Sequence, residues 1–148
     1  MPLHAYAYVS TAMEGLDLSA LDALLADATA FNRMAGVTGV LMFDGSRFLQ
    51  YIEGPRDGLA SVQARIVNAR RHGSITPLAA GPIESRRFPR WTMGNRQVEP
   101  GVLASIAAAP WQGFNLETAC PGEGFSLLLR AWTGDHGELE PAAVSLGS

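Results

Sequence analysis

The first clear pattern along the chain is at His4–Ser10 (HAYAYVS), where aromatic and small residues alternate and predict an opening strand. After a break at Met13-Glu14-Gly15, Asp17 or Ser19 can cap a helix on which Leu21, Leu25 and Ala28 recur at i, i+4 and i+7. The next position on that apolar stripe is Asn32, a polar amide where a hydrophobic residue is expected. Two strand-like runs follow, Val37–Phe43 and Arg47–Glu53. They are joined by Asp44-Gly45, which predicts a hairpin whose glycine takes the positive φ of a tight primed turn. On the second run Phe48, Gln50 and Ile52 share one face, and Leu49, Tyr51 and Glu53 the other. Both faces are partly apolar, as in a central strand, so Gln50 is a second polar side chain between hydrophobic neighbours.

Gly54-Pro55 ends that strand, and Leu59, Val62 and Ile66 outline a second helix running to about Gly73, with Arg65 and His72 on one side of it. Ile75–Ala80 predicts another strand, and Trp91–Gly94 a short last one. The order is a ferredoxin-like α+β arrangement, βαββαββ, with two helices covering one face of an antiparallel sheet. Residues 1–96 form the core domain on this reading. Residues 97–148 are a helical extension of the same domain: Val102–Ala109 and Phe125–Trp132 are apolar enough to need the uncovered sheet face, and the tail from Gly134 is loosely polar.

Composition narrows the function classes. The chain has 148 residues, enough for one core, and 47% hydrophobic with 17% charged content is ordinary for a globular protein. A net charge of −3 gives no reason to expect nucleic acid or an anionic membrane as partner. Cys120 is the sole cysteine, so no internal disulfide is expected. The absence of a leader-like or membrane-length apolar run predicts a cytoplasmic location. His4, His72 and His136 are dispersed, and no metal site is expected. Gly36-Val37-Thr38-Gly39 lacks the ending of a phosphate loop, and no nucleophile, base and orienter converge, so no enzyme is expected. Arg86-Arg87-Phe88-Pro89-Arg90 reads as a solvated sheet edge or subunit contact.

The displaced polar residues belong to a longer pattern. Tyr8 in AYVSTA, Asn32 in FNRMAGVTGVL, Gln50 in GSRFLQYIEGP, the string ARRH, and Trp91-Thr92-Met93 in RRFPRWTMG together resemble a BLUF domain (blue-light sensing using FAD) over Leu3 to Met93. The resemblance implies a flavin ring inserted between the two helices on one sheet face. Leu24, Leu41, Phe48 and Ile66 would line the slot, and Tyr8 and Met93 would also contact the flavin. Asn32 would bond the polar edge of the ring, and Gln50 would bridge Tyr8 and the flavin. Arg65, Arg71 and His72 would lie near the ribityl chain and phosphates. Trp91 and Met93 would sit beside Gln50 and relay its state.

The cofactor implied is noncovalent FAD, with FMN or riboflavin as substitutes. The function implied is a reversible photoreceptor that forms a homo-oligomer and signals to a separate effector protein. These residue types suit that chemistry. A phenol can give an electron and a proton and take them back, and a glutamine amide reverses its donor–acceptor pattern by flipping or tautomerising. Two positions depart from the family pattern: Ala69 stands where many members have Asp, and Phe31 where a polar residue often precedes the Asn. The rival reading is a small-molecule-binding or enzymatic ferredoxin-like domain without photoactivity.

Overall fold

A computed structural model of the chain describes residues 3–12, 18–68, 72–89, 94–111, 114 and 123–133. Its elements, in chain order, are β1 (Leu3–Ala12), α1 (Leu18–Ala35), β2 (Thr38–Phe43), β3 (Arg47–Pro55), α2 (Arg56–Asn68), β4 (His72–Ile83), β5 (Gly94–Gln97), α3 (Val102–Ala108) and α4 (Gly124–Thr133). The five strands form one sheet in the order β4-β1-β3-β2-β5. All neighbours are antiparallel except β2 and β5, which pair in parallel. The ferredoxin-like α+β expectation holds, with a mixed rather than an antiparallel sheet.

The period-2 pattern of β3 sorts its side chains onto two cores. Tyr6, Tyr8, Leu41, Phe48 and Ile52 pack with Leu25, Ala28, Phe31, Leu59 and Val62, so α1 and α2 cover this face. Ala5, Ala7, Val40, Met42, Leu49 and Tyr51 pack with Leu103, Ile106, Phe125, Leu128 and Trp132, so α3 and α4 cover the other. Every residue from Phe48 to Gly54 is buried, as expected for a strand between two layers.

Two close junctions fix α1 against its neighbours. Its C-terminus is a Schellman motif: the Val37 amide donates to the Asn32 carbonyl (2.9 Å), the Gly36 amide to the Arg33 carbonyl (3.3 Å), and Gly36 has φ 74°. Gly58 in the first turn of α2 lies so close to the Ala35 carbonyl that an added Cβ would sit 2.0 Å from its oxygen. The two helices therefore meet where α1 ends and α2 begins.

Three expectations are corrected. The hairpin turn centres one residue later than Asp44-Gly45. The Asp44 amide donates to the Arg47 carbonyl (3.2 Å), Asp44 Oδ1 accepts from the Ser46 and Arg47 amides (3.0 and 2.9 Å), and Gly45 has φ 100°. Asp44 thus uses its side chain to bridge the turn, which leaves Gly45 as the first central residue of a primed turn. His72 opens β4, opposite Ala12 of β1, and so does not share a helix face with Arg65. The pairing with β1 takes the chain out of α2 by Asn68. The last strand runs Gly94–Gln97, beyond the expected end at Gly94, and Trp91 and Met93 lie outside the described residues.

At Gly36 a Cβ would meet only the Pro55 ring, at 3.7 Å, so the cost of a side chain there is conformational rather than steric. Gly36→Ala is expected to lower the unfolding free energy by about 1–2 kcal/mol, the cost of a left-handed L-residue. Gly36→Asn should cost less, because Asn tolerates that conformation. Urea unfolding of the two variants measures the difference.

Candidate functional site

The register of β1 on β3 places Tyr8 directly opposite Gln50, and β2 places Leu41 on the other side of Gln50. Because paired strands share their pleat, these three side chains rise from the same face of the sheet, among the residues that pack under α1 and α2. The Tyr8 hydroxyl donates to Gln50 Oε1 across the strand pair. Both residues are buried, Tyr8 at 0% and Gln50 at 5% exposure. The β1–β4 pairing shifts register between Ala7 and Tyr8, and Pro77, which has no N–H to donate, stands opposite Tyr8. The unpaired extra residue is Leu78, so the bulge bends β4 where it passes the phenol.

The surroundings are apolar. The Tyr6 and Tyr8 rings stack with centroids 5.6 Å apart, and Phe48 stacks on Phe43 at 4.8 Å. Asn32, 1% exposed, projects from the last turns of α1. Its backbone carbonyl closes the Schellman motif, and Gly36 supplies the left-handed conformation, so the amide side chain is not needed as the cap. Among the described residues, Asn32, Gln50 and Ser10 are the buried neutral polar ones, carried by α1, β3 and β1. Burying such amides in an apolar layer is costly unless they are hydrogen-bonded, as Gln50 is to Tyr8.

Burial pushes the Tyr8 phenol well above the ordinary tyrosine range; nearby Tyr6 adds to this and Arg65 opposes it. Tyr8 is therefore a neutral phenol, able to donate its proton to an acceptor at neutral pH. Arg65 on α2 places its guanidinium 5.2 Å from the centre of the Phe31 ring on α1, a cation–π contact across the two helices. Phe31, the position that departs from the family pattern, thus holds Arg65 in place.

The structure brings together Tyr8, Asn32, Leu41, Phe48 and Gln50, with Arg65 at the helix interface. Leu24 and Ile66 lie in α1 and α2 and His72 at the start of β4, but their side chains are outside the described residues. Arg71 is outside them altogether, as are Trp91 and Met93. Among the described residues no cluster of His, Cys, Asp or Glu could hold a metal, and no helix is long and apolar enough to cross a membrane. A cavity of about 700 Å³ lies elsewhere, between residues 96–99, α3 and α4.

Two residues that sequence reasoning passed over are central to the other face. Glu53, 0% exposed, accepts hydrogen bonds from the Tyr51 hydroxyl (2.9 Å) and from the Arg87 and Phe88 amides (2.8 and 2.6 Å). Arg86 donates to Thr38 Oγ1 (2.9 Å), the Gly36 carbonyl (2.8 Å) and the Glu53 carbonyl (3.3 Å). Residues 86–88 are therefore clamped on the sheet through the Arg86 side chain and the Arg87 and Phe88 amides, with the Arg87 side chain exposed and Arg90 outside the described residues. The signal for Glu53 was an acidic residue in a strand apolar on both faces.

The family described as BLUF, sensors of blue-light using FAD, matches residues 3–94. The chain is 30% identical over 87 residues to photoactivated adenylate cyclase subunit beta of Euglena longa, a match spanning 58% of this chain and 10% of that protein. It is 32% identical over 68 residues to the blue light- and temperature-regulated antirepressor BluF of Escherichia coli, spanning 46% and 17%. Among solved structures, the dark state of the BLUF protein BlrB superposes with a TM-score of 0.62 at 29% identity, covering 65% of this chain and 73% of that one. The chain thus spans less than a fifth of the length of the two curated relatives.

The buried phenols make stability sensitive to alkali. Burial raises both Tyr8 and Tyr51, the latter helped by its hydrogen bond to Glu53. A raised folded-state pKa leaves the stability intact below the unfolded tyrosine value of about 10 and removes it as pH rises further. The unfolding free energy is expected to fall above that pH with a slope approaching about 1.4 kcal/mol per pH unit per phenol. Tyr8→Phe and Tyr51→Phe should each flatten the decline, as read from urea midpoints across the alkaline range.

Proposed function

The chain belongs to the BLUF family of blue-light sensors using FAD, and on that premise we propose that Tyr8 and Gln50 are its photochemical pair. The matched region is a sensor domain and not an enzyme, and flavin is its cofactor. The single observation that supports the pair is the buried hydrogen bond from the Tyr8 hydroxyl to Gln50 Oε1, on the face covered by α1 and α2.

When bound, the flavin supplies blue-light absorption and an electron-accepting excited state. Tyr8 is the electron and proton donor: its phenol is neutral, buried and already aimed at an acceptor. Gln50 handles the proton. Its oxygen accepts from Tyr8, and turning or tautomerising the amide replaces that acceptor by a donor, so the pair has two distinct hydrogen-bonded states. The return of the electron and proton to Tyr8 leaves the chemistry unchanged and the hydrogen bonds rearranged. Leu41 and Phe48 supply the apolar floor and keep water from competing for these bonds.

Asn32 would hold the polar edge of the ring, with Leu24 and Ile66 as slot walls. Arg65, Arg71 and His72 serve the phosphate end, where FMN and riboflavin would lose contacts relative to FAD. Trp91 and Met93, next along the chain from the Arg86–Phe88 clamp, carry the state of Gln50 onward. The recipient is a separate effector or a second copy of the chain. The curated relatives are a cyclase and an antirepressor, each far longer than the region this chain matches.

Absorption spectra before and after blue light test the reading. The wild type should show a reversible red shift of the flavin band. Tyr8→Phe and Gln50→Leu should stay folded, bind flavin and lose it; a normal shift in Gln50→Leu excludes the pair.

Asn32→Ala should weaken flavin binding by about 1–3 kcal/mol, the cost of leaving a buried polar partner unsatisfied. Flavin retained after dialysis measures this, and unchanged retention removes Asn32 from the site.

A further inference from the structure

Gln50 and Tyr51 are consecutive on β3 and so project to opposite faces: Gln50 toward the side under α1 and α2, Tyr51 into the layer beneath α3 and α4. Tyr51 is 1% exposed, and its ring is shared among three aromatic neighbours. Centroid distances are 5.6 Å to Phe88, 5.4 Å to Phe114 and 5.3 Å to Phe125 of α4. Phe88 in turn lies 5.9 Å from Trp132 near the end of α4. The Tyr51 hydroxyl is anchored on Glu53, which also fixes the Arg87 and Phe88 amides.

The same clamp reaches the photochemical face. Arg86 holds the Gly36 carbonyl, part of the Schellman turn that ends α1 four residues after Asn32, and Thr38, which also donates to Glu53 (3.4 Å). One hydrogen-bonded network, buried at Glu53 and exposed at Gly36, thus touches the strand that carries Gln50, the end of the helix that carries Asn32, and the aromatic layer under α4. Packed elements of this kind move between discrete arrangements rather than deforming smoothly.

We infer that the Tyr51–Glu53 pair, braced by Arg86–Phe88, transmits the rearrangement of Gln50 through the sheet to α4. Tyr51 and Glu53 are positioning residues on this inference: neither touches the flavin face, and each acts by setting where the Phe88 segment and the aromatic layer sit. The inference rests on the Tyr8–Gln50 reading above. A competing route runs along the sheet edge, where Phe43 stacks on Phe48 and its carbonyl accepts from the Val98 amide (2.9 Å) next to α3.

The test uses the full chain loaded with FAD and reads two signals in each variant: the flavin red shift, and amide hydrogen exchange of residues 124–133 in darkness and under blue light. Tyr51→Phe removes only the hydroxyl and keeps the ring, so it is the principal variant. Glu53→Gln keeps the shape but offers an amide donor where the backbone donors need an acceptor.

The wild type is expected to show the red shift and a light-dependent change of exchange in α4. Tyr51→Phe should keep the red shift and the dark exchange, while its light-dependent change falls by roughly fivefold or more, the lower range of coupling between sites. Glu53→Gln should do the same. An undiminished light-dependent change in Tyr51→Phe overturns the inference, and so does its loss in Phe43→Leu alone. If exchange rises equally in dark and light with their difference preserved, the pair is merely structural and the inference is also overturned. A wild type with a red shift but no change in α4 refutes it as well. A wild type without the red shift instead refutes the photochemical reading, and this inference with it.

Discussion

The antiparallel pairing of β1 with β3 is the constraint on which everything else in this chain depends. It sets Tyr8 opposite Gln50, and a slip of one residue would turn the slipped strand over and leave the two side chains on opposite faces. The register is held from both sides. On one face Tyr6, Tyr8, Phe48 and Ile52 must stay under α1 and α2, and on the other Ala5, Ala7, Leu49 and Tyr51 must stay under α3 and α4. With two apolar layers specifying one alignment, the phenol and the amide are held in contact although 42 residues separate them.

Placing polar groups in such a layer has an energetic cost that the structure meets by pairing them. Tyr8 and Gln50 satisfy each other, and Glu53 on the opposite face collects donors from Tyr51, Arg87 and Phe88. These are two different uses of buried polarity. The first is a single side-chain pair whose amide carries both a donor and an acceptor in one rotatable group. The second is multiply anchored, and it ties the segment after β4 to the sheet.

The helices divide the same way. α1 and α2 meet where Gly58 presses on the Ala35 carbonyl, and Arg65 bridges to Phe31 further along. α3 and α4, by contrast, bury Leu103, Ile106, Phe125, Leu128 and Trp132 directly on the sheet. On the reading proposed above, the first pair of helices would admit a planar ring, and the second would register a small shift in β3.

Much of this was legible in the chain itself. Local periodicity placed α1, β2, β3 and the two C-terminal helices near their observed bounds, because each has one apolar face whose spacing matches its geometry. Asn32 and Gln50 stood out because they interrupt those faces, and Tyr8 joined them through the family pattern. What local spacing could not decide was set by partners distant in sequence. Pairing with β1 drew His72 out of the second helix into β4, and β5 settled at Gly94–Gln97 because it adds in parallel to β2. The Asp44 side chain moved the hairpin turn by one residue. Glu53 and Arg86 read as an ordinary strand-end acid and a surface base until the fold brought residues 86–88 against β3, since their hydrogen bonds span more than thirty positions. Sequence determines which faces are apolar and which residues are out of place on them; only the folded chain decides which of those residues meet.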